Sequence, residues 1–406
     1  MLNIPLEYLE TVERAILAAS ARCDAPEPVT VEAKAEIRRR VFEEILRVSP
    51  EWRPEIRIAS RERVGGSAGY TVERLEFTSW DGISGAANLY VPTGVRTPPA
   101  MLMNHGHSMT NGKFSSSYQR MAQYLAGQGV AVVLPDVLGA GERMRFGHSK
   151  RYEPFGCGTT VCGLIVLEAM GWLRWLRGET QFDQKRIGVF GQSGGGQTTL
   201  FMCAAVPDEA DLFAPCAFVH TFEYTARKER LLCACDLFPA TVGSLEMRHL
   251  IGCAAPKPVL VASGMGDSMV PRDVVLALGH RIASTWRAYG AEDNYEHVLW
   301  NGEHSWENPD GFVAVASFIT RHFHLADTSR AGQVAPALFP TECKVETELR
   351  PGEIDIDGLA ERLTGVPRKG YRCVADAFPP TLIPADAPIS EEARNVLAQM
   401  ESFIKR

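Results

Sequence analysis

The stretch "RIGVFGQSGGGQTTLFMCAA", residues 186 to 205, runs apolar, breaks into six residues of which four are glycine, and turns apolar again around a single serine, Ser193. An apolar run too short for a helix, a sharp glycine-rich bend and a following helical pattern describe a strand feeding a helix. Within it, Gly191-Gln192-Ser193-Gly194-Gly195 fits G-x-S-x-G in the required context. Such a turn forces the serine into strained backbone with its hydroxyl exposed above the sheet. Side chains at 191 and 195 would collide with neighbouring elements. A helix starting at Gly194 aims its unpaired N–H groups and positive dipole end at any oxyanion formed beside Ser193. A phosphate-binding loop would need a lysine after its last glycine, and none follows.

A nucleophilic serine requires a base and a group that orients the base, because a free hydroxyl is too weak an acid at neutral pH. On a sheet of this strand–turn–helix kind the order is serine, acid, histidine. After the strand-like "KPVLVASG" comes "MGDSMVP", which places Asp267 just past a strand end. After "YEHVLW" comes "NGEHSWENP", which places His304 in the next loop. Both are expected where loops cluster over the carboxyl edge of a parallel sheet, beside Ser193. Glu223, after "APCAFVHTF", is the alternative acid. It opens the charged run "EYTARKER", the pattern of a solvated helix start, whereas Asp267 sits in a tight Gly-x-Gly-Asp turn. The stretch "MLMNHGHSMTNG" supplies a second oxyanion donor: Gly106 lets the backbone turn, and the amide of His107 joins that of Gly194.

Working outward, short apolar runs alternate with helical patterns from about residue 100 to 323, which implies a mainly parallel sheet covered on both faces. The runs are "AMLMNHG", "VAVVLPD", "RIGVFG", "APCAFVHTF", "KPVLVASG" and "YEHVLW". Before them, "YTVERLEFTS" and "SGAANLYVP", divided by "WDGI", predict an antiparallel hairpin. Residues 6 to 22 and 31 to 48 carry helical periodicity, with Thr30 as a cap. Val161, Leu164, Ile165, Trp172, Trp175 and Leu176 form one core stripe. Three parts are expected: a helical preface over 1–69, a catalytic domain over 70–325, and a proline-rich extension over 326–406 that packs on it. The extension ends in the helix "SEEARNVLAQMESFIKR", capped by Ser390, and contributes Leu338, Phe339, Leu359, Leu363, Phe378, Leu382 and Ile383 as apolar residues to be buried.

No metal or other cofactor is expected. Ten cysteines are scattered in apolar surroundings, as buried thiols are in a reduced protein. Cys233 and Cys235 lie close, but no second pair follows, and the histidines nearest in sequence are His220 and His249. His105 and His107 are read as shaping their loop. The net charge of −7, from 42 basic and 49 acidic residues with no basic block, argues against nucleic acid or an anionic membrane surface as a partner. No apolar run reaches the length of a membrane span, and Glu7, Glu10 and Glu13 interrupt the start where a leader would be basic and then apolar, so a cytoplasmic protein is expected.

The stretch from about 70 to 324 resembles the α/β-hydrolase superfamily, and within it the acetyl-xylan-esterase-like and dienelactone-hydrolase-like branch. The likeness is carried by "DGISGAANLYVPTG", "NHGHS", "PDVLGAGER", "GQSGGGQTTL", "CACDLFP" and "LIGCAAPKPVLVASGMGDSMVP". It implies an α/β-hydrolase fold and an esterase working through a serine acyl-enzyme, with Ser193, Asp267 and His304 as triad. The substrate class expected from it is a small-molecule or glycoside ester. Arg143 and Arg145, in "GERMRFGH", and Trp306, two residues past His304, are candidate substrate contacts; pairing of the arginines and packing of the tryptophan under the loop are the alternatives. A serine peptidase or acyltransferase would use the same triad, and a silent binding protein could keep the fold. Association with a second copy of the chain stays open.

Overall fold

A computed structural model of the protein describes residues 3–23, 25–325 and 343–405. One sheet of nine strands organises these residues: β1 (Arg57–Gly66), β2 (Tyr70–Trp80), β3 (Ile83–Pro92), β4 (Ala100–Asn104), β5 (Ala131–Pro135), β6 (Ile187–Gln192), β7 (Leu212–Cys216), β8 (Val259–Gly264) and β9 (Tyr295–Trp300). Their spatial order is β1-β2-β3-β5-β4-β6-β7-β8-β9. The first three are antiparallel to their neighbours, and β5, β4, β6, β7, β8 and β9 run parallel. Helices α1 (Leu6–Ser20), α2 (Val31–Arg40), α3 (Ser116–Gly127), α4 (Glu153–Gly156), α5 (Val161–Gly178), α6 (Gly194–Ala205), α7 (Phe222–Ala226), α8 (Met247–Gly252), α9 (Arg272–Ala288) and α10 (Pro309–His322) precede or alternate with the parallel strands. Helices α11 (Ile356–Thr364), α12 (Val374–Ala377) and α13 (Glu391–Ser402) follow.

The parallel strands are buried on both faces, and their side chains divide by the period of two. Leu102, Val133 and Val189 join Val161, Leu164, Trp172 and Phe201 of α5 and α6 on one side. Met101, Met103, Val132, Leu134 and Phe190 join Met121, Leu125, Phe312 and Phe318 of α3 and α10 on the other. Because strand order reverses between β5 and β4, the loops after β4, β5, β6 and β8 open at one carboxyl edge, where a crevice forms.

One expectation for the N-terminal part needs correction. Residues 57–66, read as part of a helical preface, form β1, which pairs with β2 at the sheet edge. "RIASRERVGG" carries charge on both faces and so lacks apolar alternation; the two register shifts and the exposed arginines are the way an edge strand avoids pairing with another chain. The second predicted helix also ends early, at Arg40, and continues as a single π-helical segment, Val41–Leu46.

The C-terminal segment is pinned to the sheet's loops by charge and by apolar contact. Leu359, Ile383, Leu397 and Phe403 are buried. Leu363 and Phe378 are half-buried, Leu382 is exposed, and Leu338 and Phe339 lie outside the described residues. The chain returns from α13 to the loop before α8, where Val242 donates its amide to the Phe403 carbonyl at 2.9 Å. Glu353 accepts from Arg145 at 2.7 and 2.8 Å and from Ser84 at 2.6 Å. Among the described residues, no helix is long and apolar enough to cross a membrane.

Burial raises the Glu353 carboxyl, but the hydrogen bonds from Arg145 and Ser84 outweigh it and hold its pKa at about 2, against an ordinary 4.5. A carboxyl depressed on folding contributes stability that is complete above pH 4.5 and is lost as the pH falls toward 2. Glu353→Gln is therefore expected to lower unfolding stability by about 2 kcal/mol at neutral pH, with the gap from wild type closing between pH 4.5 and 2. Denaturant unfolding across that range checks it, and a gap independent of pH would refute the assignment.

Candidate active site

Ser193 caps the N-terminus of α6 with φ 59° and ψ −125°, strained backbone for any residue with a side chain. The glycines around it are required by contact. A Cβ on Gly195 would stand 1.8 Å from the Asn104 carbonyl oxygen, and one on Gly191 would stand 2.5 Å from both that atom and the Gly195 carbonyl oxygen. The Ser193 amide donates to the Cys216 carbonyl of β7 at 3.0 Å, which anchors the turn from the far side.

His304 and Asp267 meet. His304 Nδ1 lies 2.7 Å from Asp267 Oδ2, and Asp267 Oδ1 accepts the Met269 amide at 2.8 Å. The Asp267 side chain is fully buried, and the other ring nitrogen, His304 Nε2, is buried with no hydrogen-bond partner among the described residues. A carboxylate on Nδ1 fixes the tautomer that leaves Nε2 as the free base. Ser193, His107, Gly194 and His304 line one cavity of about 330 Å³, whose far wall is Phe218, His220, Tyr224, Lys228, Met269 and Val270. Burial first, and the nearby Lys228 charge second, push His220 down to about 3, so it faces the cavity as a neutral ring.

Glu223 does not join this group. It sits in α7 and pairs with Arg227 at 3.0 Å, the solvated helix start that its surrounding charges describe. Gly106 does reach the serine: its Cβ, if it had one, would lie 2.8 Å from Ser193 Cβ, so the loop carrying the His107 amide packs directly against the Ser193 turn. Gly106 donates its own amide to Tyr118 Oη at 2.7 Å. His105 holds the loop's shape: Nδ1 lies 2.8 Å from the Gly106 carbonyl and Nε2 accepts the Val137 amide at 2.9 Å, while burial pushes its pKa down to about 4.

For the three candidate substrate contacts the structure replaces substrate contact with the alternatives, pairing of Arg143 and Arg145 and packing of Trp306. Arg143 is fully buried, forked onto Glu168 at 2.6 and 2.7 Å, and donates to the Asp136 and Ser84 carbonyls. Arg145 is likewise engaged with Glu353. Both arginines come from "PDVLGAGER" and its continuation, which folds into a buried ionic knot where Lys113 binds Asp136 and Glu142 together. Trp306 is fully buried, stacks on Phe190 with centroids 5.8 Å apart, and donates Nε1 to the Ser117 carbonyl at 3.4 Å. It supports the His304 loop from beneath.

Sequence reasoning missed Gln192, the variable residue of the G-x-S-x-G turn. Its Nε2 donates to the His304 carbonyl at 2.8 Å and ties the serine turn to the histidine loop. It also missed a convergence. His107 Nε2 lies 3.1 Å and His148 Nε2 3.3 Å from Cys235 Sγ, with Cys233 alongside, so two imidazoles from distant loops join the two sulfurs. His220 and His249, the nearest in sequence, lie elsewhere: His220 bonds Thr221, and His249 caps Glu246. The Cys233 thiol is drawn below its usual range, first by its hydrogen bond with Cys235 and then, against opposing burial, by His107 and His148.

No protein-family model and no curated protein matches the sequence. Solved structures do match the fold. Methylesterase BT1017 is 19% identical with TM-score 0.63, over 86% of this chain and 78% of that one. A glucuronoyl esterase from Solibacter usitatus is 14% identical with TM-score 0.54, over 74% and 96% of the two chains. A carbohydrate esterase family 15 glucuronoyl esterase from Caldicellulosiruptor kristjansonii is 14% identical with TM-score 0.53, over 78% and 91%. The fold is that of the α/β-hydrolases.

Removing one partner of a buried ion pair leaves the other charge uncompensated, at a cost of roughly 3–5 kcal/mol. Arg143→Met is expected to destabilise the protein by about that amount through Glu168, with the KM of the folded fraction changed less than about twofold. Unchanged unfolding stability together with a raised KM would return Arg143 to the substrate.

Proposed function

We propose that the protein is a serine hydrolase of carboxylic esters that works through an acyl-enzyme. The observation that carries this reading is the His304–Asp267 pair at 2.7 Å, in which His304 keeps an Nε2 without a partner among the described residues and lines the same cavity as the strained Ser193. In the proposed reaction, His304 Nε2 accepts the Ser193 proton as Oγ attacks the ester carbonyl carbon. The oxyanion is stabilised by the amides of Gly194 and His107, at the positive end of α6. The same imidazole, now protonated, gives its proton to the departing alcohol and then activates the water that cleaves the acyl-serine ester. Asp267 holds the imidazole in one tautomer and stabilises its charged form without taking the proton.

The names of the solved structures that share the fold, a methylesterase and two glucuronoyl esterases, support ester hydrolysis over peptide cleavage or acyl transfer. The cavity supports a small-molecule or glycoside ester: its volume admits one small substituent against Phe218, Met269 and Val270, with Lys228 at the polar side.

Ser193→Ala is expected to lower kcat by roughly 10⁴ to 10⁶ with the fold intact, since the hydroxyl is the covalent nucleophile. Asp267→Asn should lower kcat by roughly 10³ to 10⁴ at neutral pH, because an amide can favour the wrong tautomer. Glu223→Gln should lower it less than about tenfold. Chromogenic esters of increasing acyl length provide the assay. A larger loss in Glu223→Gln than in Asp267→Asn, both equally folded, would move the acid to Glu223.

A further inference from the structure

Against the Ser193 cavity, which His107 also lines, four ligating side chains among the described residues come together: His107, His148, Cys233 and Cys235. One ligand atom from each lies within 4.8 Å of the other three. From Zn–S bonds of about 2.3 Å and Zn–N bonds of about 2.0–2.1 Å, the ligand atoms of a tetrahedral zinc site stand about 3.3–3.8 Å apart. The two imidazole–sulfur distances here are 3.1 and 3.3 Å. We propose that these four side chains bind one Zn²⁺ as a closed His₂Cys₂ site.

The chemistry of the donor set supports zinc. Two thiolates and two neutral imidazoles cancel the charge of a divalent cation, so the ion can sit in a buried place without an uncompensated charge. Mixed sulfur and nitrogen donors in four-coordinate geometry suit Zn²⁺, whereas the hard cations Mg²⁺ and Ca²⁺ take oxygen. Binding displaces the remaining thiol protons and the ion's coordinated waters to solvent, with no change of oxidation state.

The surroundings are built for ligation as well. His148 Nδ1–H donates to the Leu138 carbonyl at 2.8 Å, which fixes the proton on Nδ1 and leaves the Nε2 lone pair toward Cys235, the arrangement in which metal-bound histidines are held. Cys233 Sγ accepts the Cys235 amide at 3.4 Å, a hydrogen bond that favours its thiolate. Gln197 of α6 donates to the Cys235 carbonyl at 2.7 Å, which fastens the two-cysteine turn to the helix that begins at the nucleophile. All ten cysteines are free thiols, so both sulfurs are available as ligands.

With four protein ligands the ion has no open position and takes no part in ester chemistry. Its effect is positional. It joins the loop after β4, through His107, to the loop after β5, through His148, and to residues 227–236, which wall the cavity with Lys228, Arg230 and Asp236. The His107 ring also lies against the nucleophile turn, since a Cβ on Gly194 would be 3.0 Å from His107 Nδ1. Resting on the reading that the His107 amide stabilises the oxyanion, the zinc ion fixes that donor in place.

Metal analysis of the full-length protein, grown with added zinc, tests the site independently of catalysis. About one zinc per chain is expected, falling below about 0.1 in Cys233→Ser/Cys235→Ser and in His148→Ala. Because those variants could fail to fold, the wild-type protein carries a second test: zinc X-ray absorption should show two sulfurs at about 2.3 Å and two nitrogens at about 2.0–2.1 Å. Protein produced with Co²⁺ should show the d–d bands of a tetrahedral site and thiolate-to-cobalt charge transfer. Less than about 0.1 zinc in folded wild type, a zinc shell without sulfur, or full zinc in a folded double-cysteine variant would overturn the proposal. Zinc in a protein whose Ser193→Ala variant keeps its activity would leave the metal site standing and remove the hydrolase reading.

Discussion

The close approach of the β4 terminus to the first turn of α6 governs the rest of the site. The Asn104 carbonyl presses so near to Gly195 that no side chain fits between them, and the register of β4 on β6 brings Asn104 opposite Gly191. With strand and helix so close, the single residue linking them has no relaxed conformation available, and Ser193 takes φ 59°. A Cβ on Gly196 would stand 2.2 Å from the Cys216 carbonyl, so β7 closes on the same helix turn from the other side. The strain is held by this packing and is small beside the core that imposes it. What it yields is a half-buried serine that lines the cavity at the positive end of a buried helix.

Around that turn, buried polar groups set the loops. Gln192 holds the His304 backbone, His105 bridges Gly106 to Val137, and Lys113 gathers Asp136 and Glu142. Arg143 and Arg145 carry the same scaffold outward, to Glu168 of α5 and to Glu353 in the C-terminal segment. Buried ion pairs of this sort add little net stability once desolvation is counted, but each admits few alternative geometries, and a loop held by several has one position. The C-terminal segment thus belongs to the architecture of the site through Glu353.

The parts legible in the sequence were those written locally. A strand, a G-x-S-x-G bend and a helix are contiguous, and Asp267 and His304 each follow a recognisable apolar strand, so the Asp267–His304 contact was within reach before any coordinates. Strand β1 was not legible, because an edge strand with charge on both faces carries no period. For Arg143 and Trp306 the sequence left substrate contact open beside pairing and packing, because burial is a tertiary property: an arginine in a polar loop looks solvated until Glu168 is brought beneath it. The His107, His148, Cys233 and Cys235 cluster was invisible for a related reason. Its members are separated by up to 128 positions and meet only because β4 and β5 end beside the loop that follows α7.

Chemical trapping of the nucleophile tests the central claim most directly. The protein would be treated with a fluorophosphonate ester and its labelled peptide mapped by mass spectrometry, beside a Ser193→Ala variant of matched unfolding stability. One phosphonyl group on Ser193, with the variant unlabelled, is the outcome the account predicts. Equal labelling of both proteins, or labelling at another residue, would contradict it.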